Sequence, residues 1–111
     1  MVDVRVSAQD AVTLIEASGR IDSMTANELG AALTTIIDSG AKQIVLDLSA
    51  VDYMSSAGLR ELVAALKRVK RISGDMRIAN PSARVSEVLE MAGLDTIFLI
   101  FATQDEAVES S

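Results

Sequence analysis

The chain has 111 residues, half of them hydrophobic, contains no cysteine and no histidine, and carries a formal net charge of -6. That length and apolar content suit one domain with its own core, while the missing residue types exclude disulfides, zinc-thiolate sites, thiol nucleophiles and the commonest general base and metal ligand. The acidic balance argues against nonspecific nucleic-acid binding, which needs cations to displace phosphate counterions; the longest apolar run, Ile97 to Ala102, is far short of the roughly 20 residues that span a bilayer.

With no basic segment followed by an apolar one at the N-terminus, no membrane association and a cytoplasmic location are expected. Val2, Val4 and Val6 alternate with polar residues, and Val12, Leu14, Ile15 and Ala17 follow a Gln9-Asp10 turn, which predicts two strands paired as a hairpin. Gly19 to Asp22 leads into a helix that Asp22 or Ser23 can cap, with Ala26, Leu29, Leu33, Ile36 and Ile37 as its apolar face and Ser39-Gly40 as its stop. Gln43 to Leu48 reads as a third strand. A second helix is predicted from about Ser56 to Ile72, because Leu59, Leu62, Val63, Leu66 and Val69 fall at helical spacing, and it closes at Ser73-Gly74. Met76 to Ala79 makes a short strand. Asn80-Pro81 then predicts a helix with asparagine as N-cap and proline in the first position, where its missing amide hydrogen is not needed. Val85, Val88, Leu89 and Ala92 form its core face, and Gly93 is its left-handed stop. Ile97 to Phe101 reads as the last strand, and Gln104 to Glu109 as a short acidic helix or frayed end. Alternating strands and helices imply a single α/β domain over 1–111, with a mixed sheet of four to five strands, crossover connections and about four helices.

The chemistry concentrates in residues 44–59, where an apolar strand runs into a short polar loop that ends in Ser55 and Ser56 at the mouth of a helix. The first amides of a helix lack intrahelical partners, and the dipole places partial positive charge there. A phosphoserine, bringing roughly -1.5 to -2 charge and three acceptor oxygens, would be tolerated at such a place. The plainer alternative is that either serine only caps the helix. Gly58 is costly inside a helix but permits a close approach, and tight helix-sheet packing is its structural reading. Asp47 and Asp52 invite comparison with the phospho-acceptor of a response-regulator receiver. The further acidic residues after the first strand and the lysine after the last that a receiver requires are not found, so Asp47 reads instead as a hydrogen-bond partner of the loop. Lys67, Arg68, Lys70 and Arg71 complement the dipole at the end of the second helix, and Glu87, Glu90, Asp95, Asp105, Glu106 and Glu109 read as solubilising charge.

The order Asp47-Leu48-Ser49-x-Val51-x-Tyr53-Met54-x-Ser56-x-Gly58-Leu59 resembles the phosphorylation-site motif of anti-sigma factor antagonists in the STAS domain family, and the resemblance extends over nearly the whole chain. It implies helices packed mainly on one face of the sheet, with the motif on the surface between the third strand and the second helix, where partners dock. By register from Gly58, Ser56 matches the phosphorylated serine and Ser55 is a competing acceptor. The family's commonest form has Asp-Ser-Ser or Asp-Ser-Thr ahead of the glycine, whereas this chain reads Ser55-Ser56-Ala57. The implied partner-binding residues are Asp22, Ser23, Met54, Ser55, Ser56, Ala57 and Gly58, although Asp22 and Ser23 also suit simple capping.

The same resemblance implies a regulatory protein, not an enzyme, with no catalytic residue, metal or cofactor of its own; no Gly-x-x-x-x-Gly-Lys phosphate loop is present. In its unphosphorylated form it would bind an anti-sigma factor with serine kinase activity and free a sigma factor. Phosphorylation of Ser56 would release it, and a serine phosphatase would restore it. A monomer is expected, with weak dimerisation as the alternative. Two other readings stand beside this one: a STAS scaffold whose serine is never phosphorylated, and a nucleotide-binding regulatory module.

Overall fold

The computed structural model describes residues 2–9 and 11–110. Two antiparallel strands open the fold: β1 (Val2–Gln9) and β2 (Val12–Ile21) pair in an unbroken register from Val2 opposite Gly19 to Gln9 opposite Val12. The predicted hairpin is present, with Asp10 of its turn outside the described residues. Next in the chain come α1 (Ala26–Asp38), β3 (Gln43–Met54), α2 (Ser56–Arg71), β4 (Asp75–Ala79), α3 (Ala83–Met91), β5 (Ile100–Phe101) and α4 (Gln104–Glu109). The strands lie in the order β1-β2-β3-β4-β5, and every pair after the first is parallel. Parallel neighbours need crossovers, which α1, α2 and the segment containing α3 supply.

Side chains alternate across a strand, so each strand feeds two faces of the sheet. Ile15, Ala17, Ile44, Leu46, Leu48, Met76 and Ile78 meet Leu29 and Leu33 of α1, Leu62 and Val69 of α2, and Val85 and Leu89 of α3 in the main core. Burial of each large aliphatic side chain contributes roughly 1.5–3 kcal/mol. On the other face Val12, Leu14, Val45 and Ala79 are covered by Ala107 of α4, with Phe101 and Val108 at the margin. The acidic C-terminal segment is therefore a helix that forms a second layer, and the remaining helices share one face.

Three boundaries differ from the sequence reading. β3 continues past Leu48 to Met54, so the stretch expected as a polar loop is mostly strand. Its register with β2 steps from Glu16 opposite Asp47 to Ser18 opposite Ala50, and from Gly19 opposite Val51 to Arg20 opposite Tyr53. Each step inserts one extra residue into β3, a bulge that breaks the alternation by which strands are recognised. The N-cap of α3 is Ser82 rather than Asn80: its Oγ accepts from the Val85 amide at 3.3 Å and donates to the Val51 carbonyl at 2.7 Å. Asn80 instead turns the chain out of β4 with a φ of 48°. The last strand is only Ile100–Phe101, because Leu94–Thr96 winds into a 3-10 turn and Phe98 enters the core. Gly93, with a φ of 74°, takes the left-handed conformation expected of it. No helix among the described residues is long and apolar enough to cross a membrane.

Candidate functional site

β3 delivers the chain to α2 alongside the end of β2, where Ile21 stands opposite Met54. One residue on, the Ser55 amide donates to the Ile21 carbonyl at 2.8 Å. Ser55 is extended (φ -85°, ψ 169°) and is the N-cap of α2: its Oγ accepts from the Gly58 amide at 3.2 Å, and its carbonyl accepts from the Leu59 amide at 3.0 Å. Ser56, the first helical residue, is exposed. The amides of Ser56 and Ala57 belong to the first turn and have no intrahelical acceptor. Because that turn carries no acidic side chain, the positive end of the dipole is not offset locally. At the other end of α2, Arg68 pairs with Asp38 at 2.8 Å and Lys70 with Asp75 at 3.5 Å.

Gly58 lies beneath this surface. A Cβ at Gly58 would sit 2.5 Å from Met54 Sδ and 2.7 Å from Ile21 Cγ2, so the glycine is what allows α2 to seat on the strand ends. Met54 is 3% exposed. Its side chain turns inward and packs under Gly58, so it lies below the surface that the serines present.

The turn between β2 and α1 forms the adjoining wall. Asp22 Oδ1 accepts from the amides of Met24 at 2.9 Å and Thr25 at 3.0 Å, while the Thr25 hydroxyl donates to the Arg20 carbonyl at 2.8 Å. The hydrogen bonds from the backbone, that of Thr25 first, hold the Asp22 carboxyl below its usual value of 3.8. Asp22 thus shapes the turn that precedes α1, and its own carbonyl accepts from the first helical amide, that of Ala26, at 2.9 Å. Ser23 is exposed at the tip. Arg20 and Met24 complete this wall, and neither belongs to a motif. The Arg20 guanidinium lies 4.1 Å from the Tyr53 ring centroid and 3.5 Å from the Asp22 carboxylate, but the second bulge is what makes Arg20 and Tyr53 neighbours. Met24 is 82% exposed, and a lone methionine in a polar turn is the one clue to it in the sequence.

Asp47 marks the first bulge of β3. It is 3% exposed, and both carboxylate oxygens are engaged: Oδ1 accepts from the Ser49 amide at 2.8 Å, and Oδ2 accepts from Gln104 Nε2 of α4 at 2.6 Å. The same Gln104 nitrogen donates to Glu16 Oε2 at 3.0 Å. Asp47 therefore clamps the bulge and α4, and it bonds the motif segment as expected. Among the described residues no cluster of three or more acidic side chains is placed to hold a metal ion.

The family profile described as STAS domain matches residues 3–107, which run from β1 into α4. The chain belongs to the STAS domain family. The Bordetella bronchiseptica protein BtrV, named as a candidate anti-sigma factor antagonist, is 34% identical to this STAS domain over 89 residues, 80% of this chain and 77% of its own. The Mycobacterium tuberculosis anti-sigma-F factor antagonist RsfB is 27% identical over 107 residues, 96% of this chain and 87% of its own. The crystal structure of an anti-sigma factor antagonist from Mycobacterium paratuberculosis superposes with a TM-score of 0.91 at 27% identity, covering 99% of this STAS domain and 93% of that chain.

Proposed function

We propose that this STAS domain is an anti-sigma factor antagonist whose binding is gated by phosphorylation of Ser56. The observation that carries the reading is the division of roles between adjacent serines. Ser55 Oγ is engaged as the cap of α2, while Ser56 stands exposed beside amides that a phosphoryl group can meet. The added dianion leaves the core of the domain untouched. Its cost falls on a docked partner, which would have to bury it without a matching cation. A loss of about 3 kcal/mol weakens binding more than a hundredfold, and an uncompensated buried charge supplies that much.

Relatives named as anti-sigma factor antagonists support an anti-sigma factor as the partner. In this reading the anti-sigma factor is also the serine kinase, a serine phosphatase resets the switch, and the cycle runs in the cytoplasm. The contact surface is Asp22, Ser23, Ser55, Ser56 and Ala57, flanked by Arg20 and Met24 and supported by Met54 and Gly58. The domain itself performs no catalysis.

Affinity capture from the native host with Ser56→Ala and Ser56→Asp as baits tests this, together with enzymatically phosphorylated chain. Alanine is expected to retain a kinase-like protein, and aspartate and phosphoserine to lose it. Equal capture by all three, with intact mass showing no phosphorylated species in the cell, would overturn the proposal in favour of an unmodified scaffold.

A further inference from the structure

The sheet has two unequal edges. β5 exposes only Ile100–Phe101, whereas β1 presents eight residues whose outer side pairs with no strand among the described residues. Such an edge carries a row of unpaired backbone donors and acceptors, which proteins ordinarily blunt with charged side chains, above all lysine, with proline or with a bulge. The sequence Val-Asp-Val-Arg-Val-Ser-Ala-Gln has neither proline nor lysine, its two charges are of opposite sign and so can complement a second copy, and its register with β2 is uninterrupted.

We infer that β1 pairs with β1 of a second copy of this chain, antiparallel and centred on Val4. A two-fold axis perpendicular to the sheet keeps each face on its own side, so residues facing each other across the new seam share the same parity. Centring on Asp3 sets two carboxylates opposite each other, and centring on Arg5 sets two guanidinium groups opposite each other. Centring on Val4 places Asp3 opposite Arg5 of the second copy, and Arg5 opposite its Asp3. Like charges directly opposite are destabilising and unlike charges stabilising, so charge favours this register, which sets both Asp3 and Arg5 against an opposite charge. On the other face it sets Val6, which is 52% exposed, opposite Val2 of the second copy. Asp3 and Arg5 are both exposed, and no ion pair engages either among the described residues. Within its own sheet Arg5 stands opposite Glu16, whose carboxylate is already held by Gln104. The antiparallel seam points the two β3 strands in opposite directions. The two Ser56 surfaces therefore lie at opposite ends of the joined sheet, and self-association leaves both open to partners.

Sedimentation equilibrium of the full chain over a concentration series tests this pairing. Wild-type chain should self-associate, and Asp3→Arg and Arg5→Asp should each weaken the association by about tenfold. An equimolar mixture of the two should regain it, because every facing pair is then of opposite sign. Glu87→Arg and Arg84→Asp carry the same net charges on α3, and each should behave as wild type, alone or mixed. Amide exchange in the wild type needs no variant: protection in residues 2–6 should rise with concentration. A wild-type chain that stays monomeric with concentration-independent exchange overturns the inference, as do Asp3 and Arg5 variants that associate like wild type, or β1 variants whose mixture recovers nothing.

Discussion

Ser55 and Ile21 share one hydrogen bond, amide to carbonyl at 2.8 Å, and it fastens the start of α2 to the end of β2. The two segments of the site are thereby tied through the backbone, so the serine side chains are left for other work. One hydroxyl oxygen caps the helix and the other meets solvent.

That separation predicts opposite outcomes for neighbouring alanines. Ser55→Ala removes the cap and should cost about 1 kcal/mol in urea unfolding, yet intact mass should still show phosphorylation by the cognate kinase. Ser56→Ala should stay within about 0.5 kcal/mol of wild type and accept no phosphate. A chain that loses its phosphate with Ser55→Ala and keeps it with Ser56→Ala would reverse the roles assigned to the two residues.

Gly58→Ala sets two effects against each other. Alanine favours a helix over glycine by about 1 kcal/mol, but the new methyl must displace Met54 and Ile21, both buried. Overpacking of that kind costs about 1–3 kcal/mol, and with two buried neighbours to move a net loss is expected in denaturant unfolding. In a double-mutant cycle with Met54→Ala the two losses should be less than additive, since shortening Met54 makes room for the methyl.

The Asp22 carboxylate gives a dependence on pH whose sign is set by its hydrogen bonds. Its folded value is lowered below 3.8, so its stabilising contribution is fully present above that value and is lost as pH falls through the lowered one. Asp22→Asn keeps a side-chain oxygen for the turn but cannot titrate. The stability gap between wild type and Asp22→Asn, measured by urea unfolding, should be constant near neutrality and shift against the wild type in strong acid. A gap that does not change there would mean that the turn is indifferent to the charge.

Removal of the Gln104 side chain should loosen α4. Gln104→Ala leaves Asp47 Oδ2 and Glu16 Oε2 without their shared donor, at a cost of about 1–3 kcal/mol for the buried acceptor. Amide hydrogen exchange should quicken across residues 104–109 well before it does in β3. Uniform protection in the variant would show that Ala107 and Val108 hold α4 without the amide.

Elements with an intact period are legible from the residues alone. The hairpin, the core face of α1, the span of α2 and the left-handed Gly93 all come from local spacing and backbone preference. The pattern of β3 stops at Leu48 because two bulges interrupt its alternation, and a bulge is decided by the partner strand. Local pattern misplaces the cap of α3 for a related reason: Asn80 and Ser82 are both suitable residues, and what favours Ser82 is the Val51 carbonyl, 31 positions away. At the site, the serines and the small residue beneath α2 are visible in the motif. The inward turn of Met54 and the stacking of Arg20 on Tyr53 are not, since both depend on how β3 lies against β2.

Two residues of β3 are surplus to its ladder with β2, one at each step of the register. They set the reach of the strand, as shims set the height of a post. Deleting one would retract the remainder of the strand by about 3.3 Å and invert the side chains between the cut and α2, so the helix would begin below the Ile21 carbonyl instead of level with it. The spacing from Asp47 to Ser56 is thus a measured length, and a single deletion within it should disturb the start of α2 more thoroughly than most substitutions there.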